Sequence, residues 1–290
     1  MKKLLISVVS MCIAFVGSAQ LLTVDAPQRV ATGDLLPCKA VLSPDGTKVL
    51  VDDNVKAGLS LINLATSEVK MVSPTGYSYE MRFTNDGNQI AFRENTMKGH
   101  LRYQSAKSVD LATGATKELV APTRELQTVN VIGNDAVAVE KGKLKGLKKS
   151  AVPVVSINRG ALYLTVDGKT TNLSPNGVHG ESYLWPAVSP DGEHIVYYRA
   201  AYGCYVCDLE GKNITYLGVI RAPQWIDNAT IVGMRDNYGA TESYLVASNI
   251  EGTVKQRLTD DSVIAMYPSV AAGKIAFTTP AGELYIMNIK

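Results

Sequence analysis

The groups in this sequence with chemistry to offer are few: three histidines, one Cys-x-x-Cys pair, a run of lysines and a scatter of charged and aromatic residues. Among His100, His179 and His194 no two lie at metal-ligand spacing and no recognised carboxylate motif accompanies them, so neither metal binding nor acid–base work is expected of any one. His194 follows a turn and His100 sits in a long connection, so both read as surface residues, whereas His179 lies in a long loop before a strand. No Gly-x-Ser-x-Gly elbow occurs, so serine-hydrolase chemistry has no nucleophile. No catalytic constellation, resident metal or cofactor is expected.

Cys204-x-x-Cys207 has the spacing of a redox or zinc pair, but its surroundings argue otherwise. Tyr205 to Leu209 reads as a strand, where residues three apart face opposite sides. A second Cys-x-x-Cys, which a structural zinc site would need, is missing. Both thiols are expected to fill cores, unless Tyr202-Gly203-Cys204 forms a turn that lets them approach. Lys141, Lys143, Lys145, Lys148 and Lys149 read as a solvated loop, with contact to an acidic partner as the functional alternative.

The elements that must carry these groups repeat. Ser43-Pro44-Asp45-Gly46, Thr84-Asn85-Asp86-Gly87 and Ser189-Pro190-Asp191-Gly192 each precede a β-rich strand. Weaker copies stand at Gly133-Asn134-Asp135, Ile226-Asp227-Asn228 and Ala271-Ala272-Gly273, which makes six. In each, a short strand enters a tight turn whose residues tolerate positive φ, and a second strand leaves it. A third follows (Leu59 to Leu64, Leu162 to Val166, Tyr205 to Leu209), then a fourth (Ala115 to Val120, Thr170 to Leu173, Thr253 to Leu258). Four strands in about 40 residues is the period of a propeller blade. The expected fold is all-β: a six-bladed β-propeller of four-stranded antiparallel blades over residues 20–290. Its last blade runs out after three strands, so Pro27 to Ala31 is expected to supply the fourth and close the ring.

The Ser-Pro-Asp-Gly turns, best seen in Trp185-Pro186-Ala187-Val188-Ser189-Pro190-Asp191-Gly192, resemble the TolB-like propeller repeats. The resemblance implies a propeller fold, a periplasmic or secreted setting and frequent protein binding, and the sequence is expected to depart from TolB in lacking its separate N-terminal domain. Residues 1–19 fit that setting: Lys2 and Lys3, an apolar run from Leu4 to Val16, then Gly17-Ser18-Ala19 read as a cleaved signal peptide. The run is short for a bilayer span of about 20 residues, so a periplasmic or secreted monomer that does not span the membrane is expected. A formal net charge of +2, near zero without Lys2 and Lys3, carries no basic face for nucleic acid.

Aligning the copies brings out a candidate site. Just past each second strand stand Asp53, Glu94, Lys141, Arg199, Arg235 and Thr279, and the incoming loops contribute Lys39, Glu80, Thr128, Trp185, Ala222 and Tyr267 at one matched position. Blade geometry puts both sets at one channel mouth, opposite the Asp-Gly turns. Aromatics among mixed charges are typical of binding surfaces, so Trp185, Tyr267, Glu80, Arg199, Arg235, Glu94, Asp53 and Lys141 are the expected binding residues. The expected function is non-catalytic recognition of a protein or cell-envelope component, including an envelope glycan. The alternatives are a glycan-binding or glycan-cleaving propeller enzyme and an accessory subunit of a separate hydrolase.

Overall fold

The computed structural model describes residues 20–53, 58–74, 78–177, 182–236 and 242–290. These form seven antiparallel sheets arranged as blades. Blade one holds Pro37–Leu42, Lys48–Asp53, Leu59–Asn63 and Val69–Ser73, and blade two Ser78–Phe83, Gln89–Lys98, Leu101–Asp110 and Thr116–Thr123. Blade three has Leu126–Ile132, Asp135–Glu140 and Lys143–Lys145, and blade four Val154–Asn158, Ala161–Val166 and Lys169–Asn172. Blade five comprises Tyr183–Val188, His194–Arg199, Gly203–Asp208 and Thr215–Gly218, and blade six Arg221–Trp225, Thr230–Asp236, Ser243–Asn249 and Lys255–Arg257. Blade seven is Met266–Ala271, Lys274–Thr278 and Leu284–Asn288, with Gln28–Val30 as its outer strand.

The expectation of six blades is overturned by this seventh sheet. Blade four turns at Arg159-Gly160, both at positive φ (50° and 82°), without an Asp-Gly in that hairpin. Leu162 to Val166, expected as a third strand of blade three, is the second strand of blade four, and the strand expected as a fourth is its third. The presumed lysine loop is not a long loop at its start. Lys141 and Gly142 form a two-residue turn at positive φ (50° and 68°), the backbone of a type I′ hairpin, and Lys143–Lys145 pairs back on Asp135–Glu140. Blades three and four have three strands each among the described residues, not four.

The recurring turn has a clear mechanism. Ser43 Oγ donates to Asp45 Oδ1 (2.6 Å), the Thr47 amide donates to the same oxygen (3.0 Å), and the Lys48 amide donates to Ser43 Oγ (2.9 Å). Thr84 with Asp86, and Ser189 with Asp191, repeat the pattern. Gly46 must take φ 66°, and a Cβ there would sit 2.8 Å from Ala272 Cβ of blade seven, so both conformation and space require glycine.

These turns also fasten blades together. The Asp86 amide donates to Asn134 Oδ1 (3.1 Å), the Asp191 amide to Asn228 Oδ1 (3.0 Å), and Lys274 Nζ to Gly46 O (2.7 Å). Between the sheets, strand alternation sends neighbouring residues into different cores. Val49 and Val51 pack towards Ala276 and Leu284 of blade seven, whereas Leu50 packs towards Phe83 and Ile90 of blade two. Cys204 and Cys207 divide in the same way, the first into the core shared with blade six and the second into that shared with blade four. Both are free thiols, and burial raises both pKa values, Cys207 to about 12.

Blade seven joins blade one through that shared core, and the Leu42 amide donates to Ser269 Oγ (3.0 Å). Gln28–Val30 pairs antiparallel with the last strand, Arg29 opposite Tyr285, and so covers the outer edge of blade seven. Among the described residues no helix is long and apolar enough to cross a membrane.

Candidate binding site at the channel mouth

The first strand of every blade lines a central channel, in which Arg82 borders three cavities. The one nearest the strand starts is about 370 Å³ and is lined by Lys39, Glu80, Arg93, Thr128, Trp185 and Gln224 among others. A cavity of about 420 Å³ shares Lys39, Arg82 and Gln224 with it and continues inwards past Asn130 and Ser269. The third, about 680 Å³, opens near the Ser189 to Gly192 turn.

Six of the seven first strands are bulged near their start. In four, one residue of the bulge has a left-handed backbone: Glu80 (φ 54°), Trp185 (φ 47°), Ala222 (φ 47°) and Tyr267 (φ 50°). These occupy the position matched by aligning the repeats. A bulge re-aims its side chain and ends regular pairing, and a bulky residue at positive φ is strained by about 1–3 kcal/mol. Repetition of such strain at one level of the ring marks that level as special.

Glu80 and Arg93 are the hub of a polar network. Arg93 Nε donates to Glu80 Oε2 (2.7 Å), one terminal nitrogen to Gln104 Oε1 (2.9 Å), and the other to Gln127 O (2.8 Å). Thr128 Oγ1 donates to the second Glu80 oxygen. Arg93 is buried, so this network ties the bulge of blade two to that of blade three and leaves Glu80 committed rather than poised as a base.

Trp185 begins a band of aromatics and guanidinium groups that runs outwards over blade five. Its ring lies 5.6 Å from that of Tyr198, Arg221 stands 6.0 Å over Tyr198, and Arg199 stacks 3.6 Å over Tyr202. Tyr202 and Tyr216 are 56% and 50% exposed, and Tyr216 Oη donates to Tyr202 O (3.3 Å). Sequence reasoning named Trp185 and Arg199 here but missed Tyr202, Tyr216 and Arg221; Tyr198 lies beneath them, buried in the core between blades five and six. The tyrosine density between Tyr197 and Tyr216 was the available signal.

Of the expected binding residues, Trp185 and Glu80 line the mouth cavity together. Asp53 and Glu94 are buried, the latter paired with Lys107 (2.9 Å), so neither is an open rim charge. Lys141 is exposed at its hairpin turn, Arg235 is exposed near the end of its strand, and half-buried Tyr267 packs against the core between blades six and seven. None of these, nor Arg199, lines the three cavities. His179 lies outside the described residues, as does the expected signal peptide. His100 sits at the tip of the blade-two hairpin, whose ten-residue strands carry Met97 (58% exposed) and Leu101 well past the ladders of the other blades at the mouth end.

This architecture defines a seven-bladed β-propeller. No family model matches the chain and no curated protein matches it. Among solved structures it is similar to virginiamycin B lyase from Staphylococcus aureus (TM-score 0.61, 13% identity, covering 92% of this chain and 99% of that one). It is also similar to a protein assigned as TolB from Agrobacterium tumefaciens (TM-score 0.58, 14% identity, 89% and 91% covered). A third is an oligogalacturonate lyase in complex with manganese (TM-score 0.51, 17% identity, 87% and 76% covered). At these identities the likeness is one of fold.

Proposed function

We propose that this chain is an exported binding propeller that recognises a protein or cell-envelope component at its channel mouth. The observation that carries this reading is the run of Trp185, Arg199, Arg221 and the exposed Tyr202 and Tyr216, seated on the buried Tyr198, from the mouth cavity out over blade five. Tyr, Trp and Arg are enriched among interface anchors: the two aromatics bury much surface for little lost conformational freedom, and Arg brings a planar fork of donors that also stacks on rings. Loops and bulges on a repeated rigid frame are where such anchors usually stand. Export is supported by Lys2, Lys3 and the apolar run before Gly17-Ser18-Ala19.

The test is comparative capture from an envelope extract with wild-type, Trp185→Ala, Tyr202→Ala and Asp191→Asn baits of matched thermal stability. The two mouth variants should lose a partner that Asp191→Asn retains, each by about 2 kcal/mol in affinity once that partner is purified. Loss with the Asp191 variant alone would place binding at the opposite end of the ring.

A further inference from the structure

We propose that the centre of the channel is an oxyanion site, in which Lys39 and Arg82 together hold a carboxylate or phosphate group carried by the ligand. This rests on the mouth being a binding face and names what its inner end recognises. Lys39 and Arg82 both line the cavities of about 370 and 420 Å³, so two cations face one confined space. Two carboxylates act on Lys39 without pairing with it: Glu80 is held by Arg93 at 2.6 Å and by the Thr128 hydroxyl, and Asp52 accepts from the Cys38 thiol. Among the described residues neither Lys39 nor Arg82 is in an ion pair. The hydrogen bond from Arg82 is a long one, Nε to Val129 O at 3.4 Å, and it does not use the terminal nitrogens of a side chain that borders both cavities.

Confining like charges away from bulk water is costly, and proteins usually pair or hydrogen-bond them. Lys39 registers that cost. Withdrawal from water lowers its pKa, and the Arg82 guanidinium lowers it further, against weaker opposing pulls from Glu80 and Asp52. An oxyanion between the two removes the repulsion. The guanidinium fork takes two oxygens of a carboxylate or phosphate in its plane, and the ammonium adds a compact charge from the side. Asn130 and Gln224 border the same cavity and can donate to the remaining oxygens. Trp185 borders the mouth cavity with Lys39, so an occupied site changes its surroundings.

The experiment titrates wild-type protein, Lys39→Met, Lys39→Arg and Arg82→Gln with citrate and with inorganic phosphate. Calorimetry and tryptophan fluorescence report binding, and thermal melts report stability with and without each anion. Wild type should bind at least one probe, more tightly than chloride, with a raised melting temperature. Lys39→Met and Arg82→Gln should bind it roughly tenfold more weakly or worse, while Lys39→Arg keeps the affinity. Without anion the two charge-removing variants should melt no lower than wild type, since each relieves repulsion. Citrate binding should weaken as pH rises through a range below that of an ordinary lysine, about 10.4, because Lys39 loses its proton early. Citrate alone points to a carboxylate ligand, phosphate alone to a phosphate ester, and both to the shared oxyanion chemistry. Absence of binding to wild type, or variants that bind as well as wild type, would overturn the proposal. Partner capture that still depends on Trp185 in that event would leave the mouth as a binding face and remove only the oxyanion.

Discussion

Asp45 shows most directly how single residues hold this ring together. The Ser43 hydroxyl and then the Thr47 amide hold its carboxyl down to about 2, and Asp86 and Asp191 are lowered by the same pair of partners in their own turns. A carboxyl with a depressed folded-state pKa contributes stability that is present above its unfolded value, about 3.9, and is lost as pH falls through the folded one. Urea melts from pH 5 to pH 2 should therefore show stability falling across the lower half of that range. Asp45→Asn keeps an acceptor of the same shape but cannot titrate, so it should be less stable at neutral pH and show a shallower acid slope. An unchanged slope would mean that the turn carboxylates do not drive acid unfolding. These turns were legible in the sequence because their chemistry is local: six consecutive residues, Ser43 to Lys48 in the first copy, contain the whole hydrogen-bond pattern. The Glu80–Arg93–Thr128 network was not, because its members come from three separate strands and meet only through register.

At the scale of the strand, the bulge is the unit that matters. Aligning the repeats found its position but not its conformation, since nothing in Lys39, Glu80, Thr128, Trp185, Ala222 and Tyr267 signals a left-handed backbone by residue type. Glycine would have announced it. Ala222 is a clean test, because its side chain is small and its φ is 47°. Ala222→Gly removes the steric penalty of that conformation and adds unfolded-state entropy, two terms of about 1 kcal/mol each and opposite sign. The variant should be within about 1 kcal/mol of wild type in chemical denaturation, whereas glycine at an ordinary strand position with a buried side chain costs more. A loss well above that would show that the alanine methyl, not the backbone, decides this position. The missing blade has a similar cause. Arg159-Gly160 makes its hairpin with backbone geometry that an Asp-Gly search does not recognise, and Asp167-Gly168 fits the search but joins the second strand to the third.

For the molecule as a whole, the last sheet is assembled from both ends of the described chain. Gln28–Val30 pairs with Leu284–Asn288, Lys290 Nζ contacts Asp25 at 2.6 Å, and Gln256 Oε1 accepts from the Leu21 and Leu22 amides (2.8 and 2.9 Å). Deleting residues 20–30 would bare the edge of blade seven and remove Leu22 from the core between blades six and seven. The expected result is a melting temperature lower by several degrees, roughly 2–4 °C for each 1 kcal/mol at this chain length, with concentration-dependent aggregation. An unchanged melt and elution profile would show that blade seven holds without this strand.

A ring of seven near-equal blades poses an indexing problem: seen down its axis, each rotation of one-seventh of a turn offers a partner almost the same backbone. The long hairpin of blade two, with Met97 and Leu101 near its tip, breaks that degeneracy from one side. The tyrosine band of blade five breaks it from three blades away. A partner that touches both has one azimuth available, as a key has one way into a round lock with a single notch.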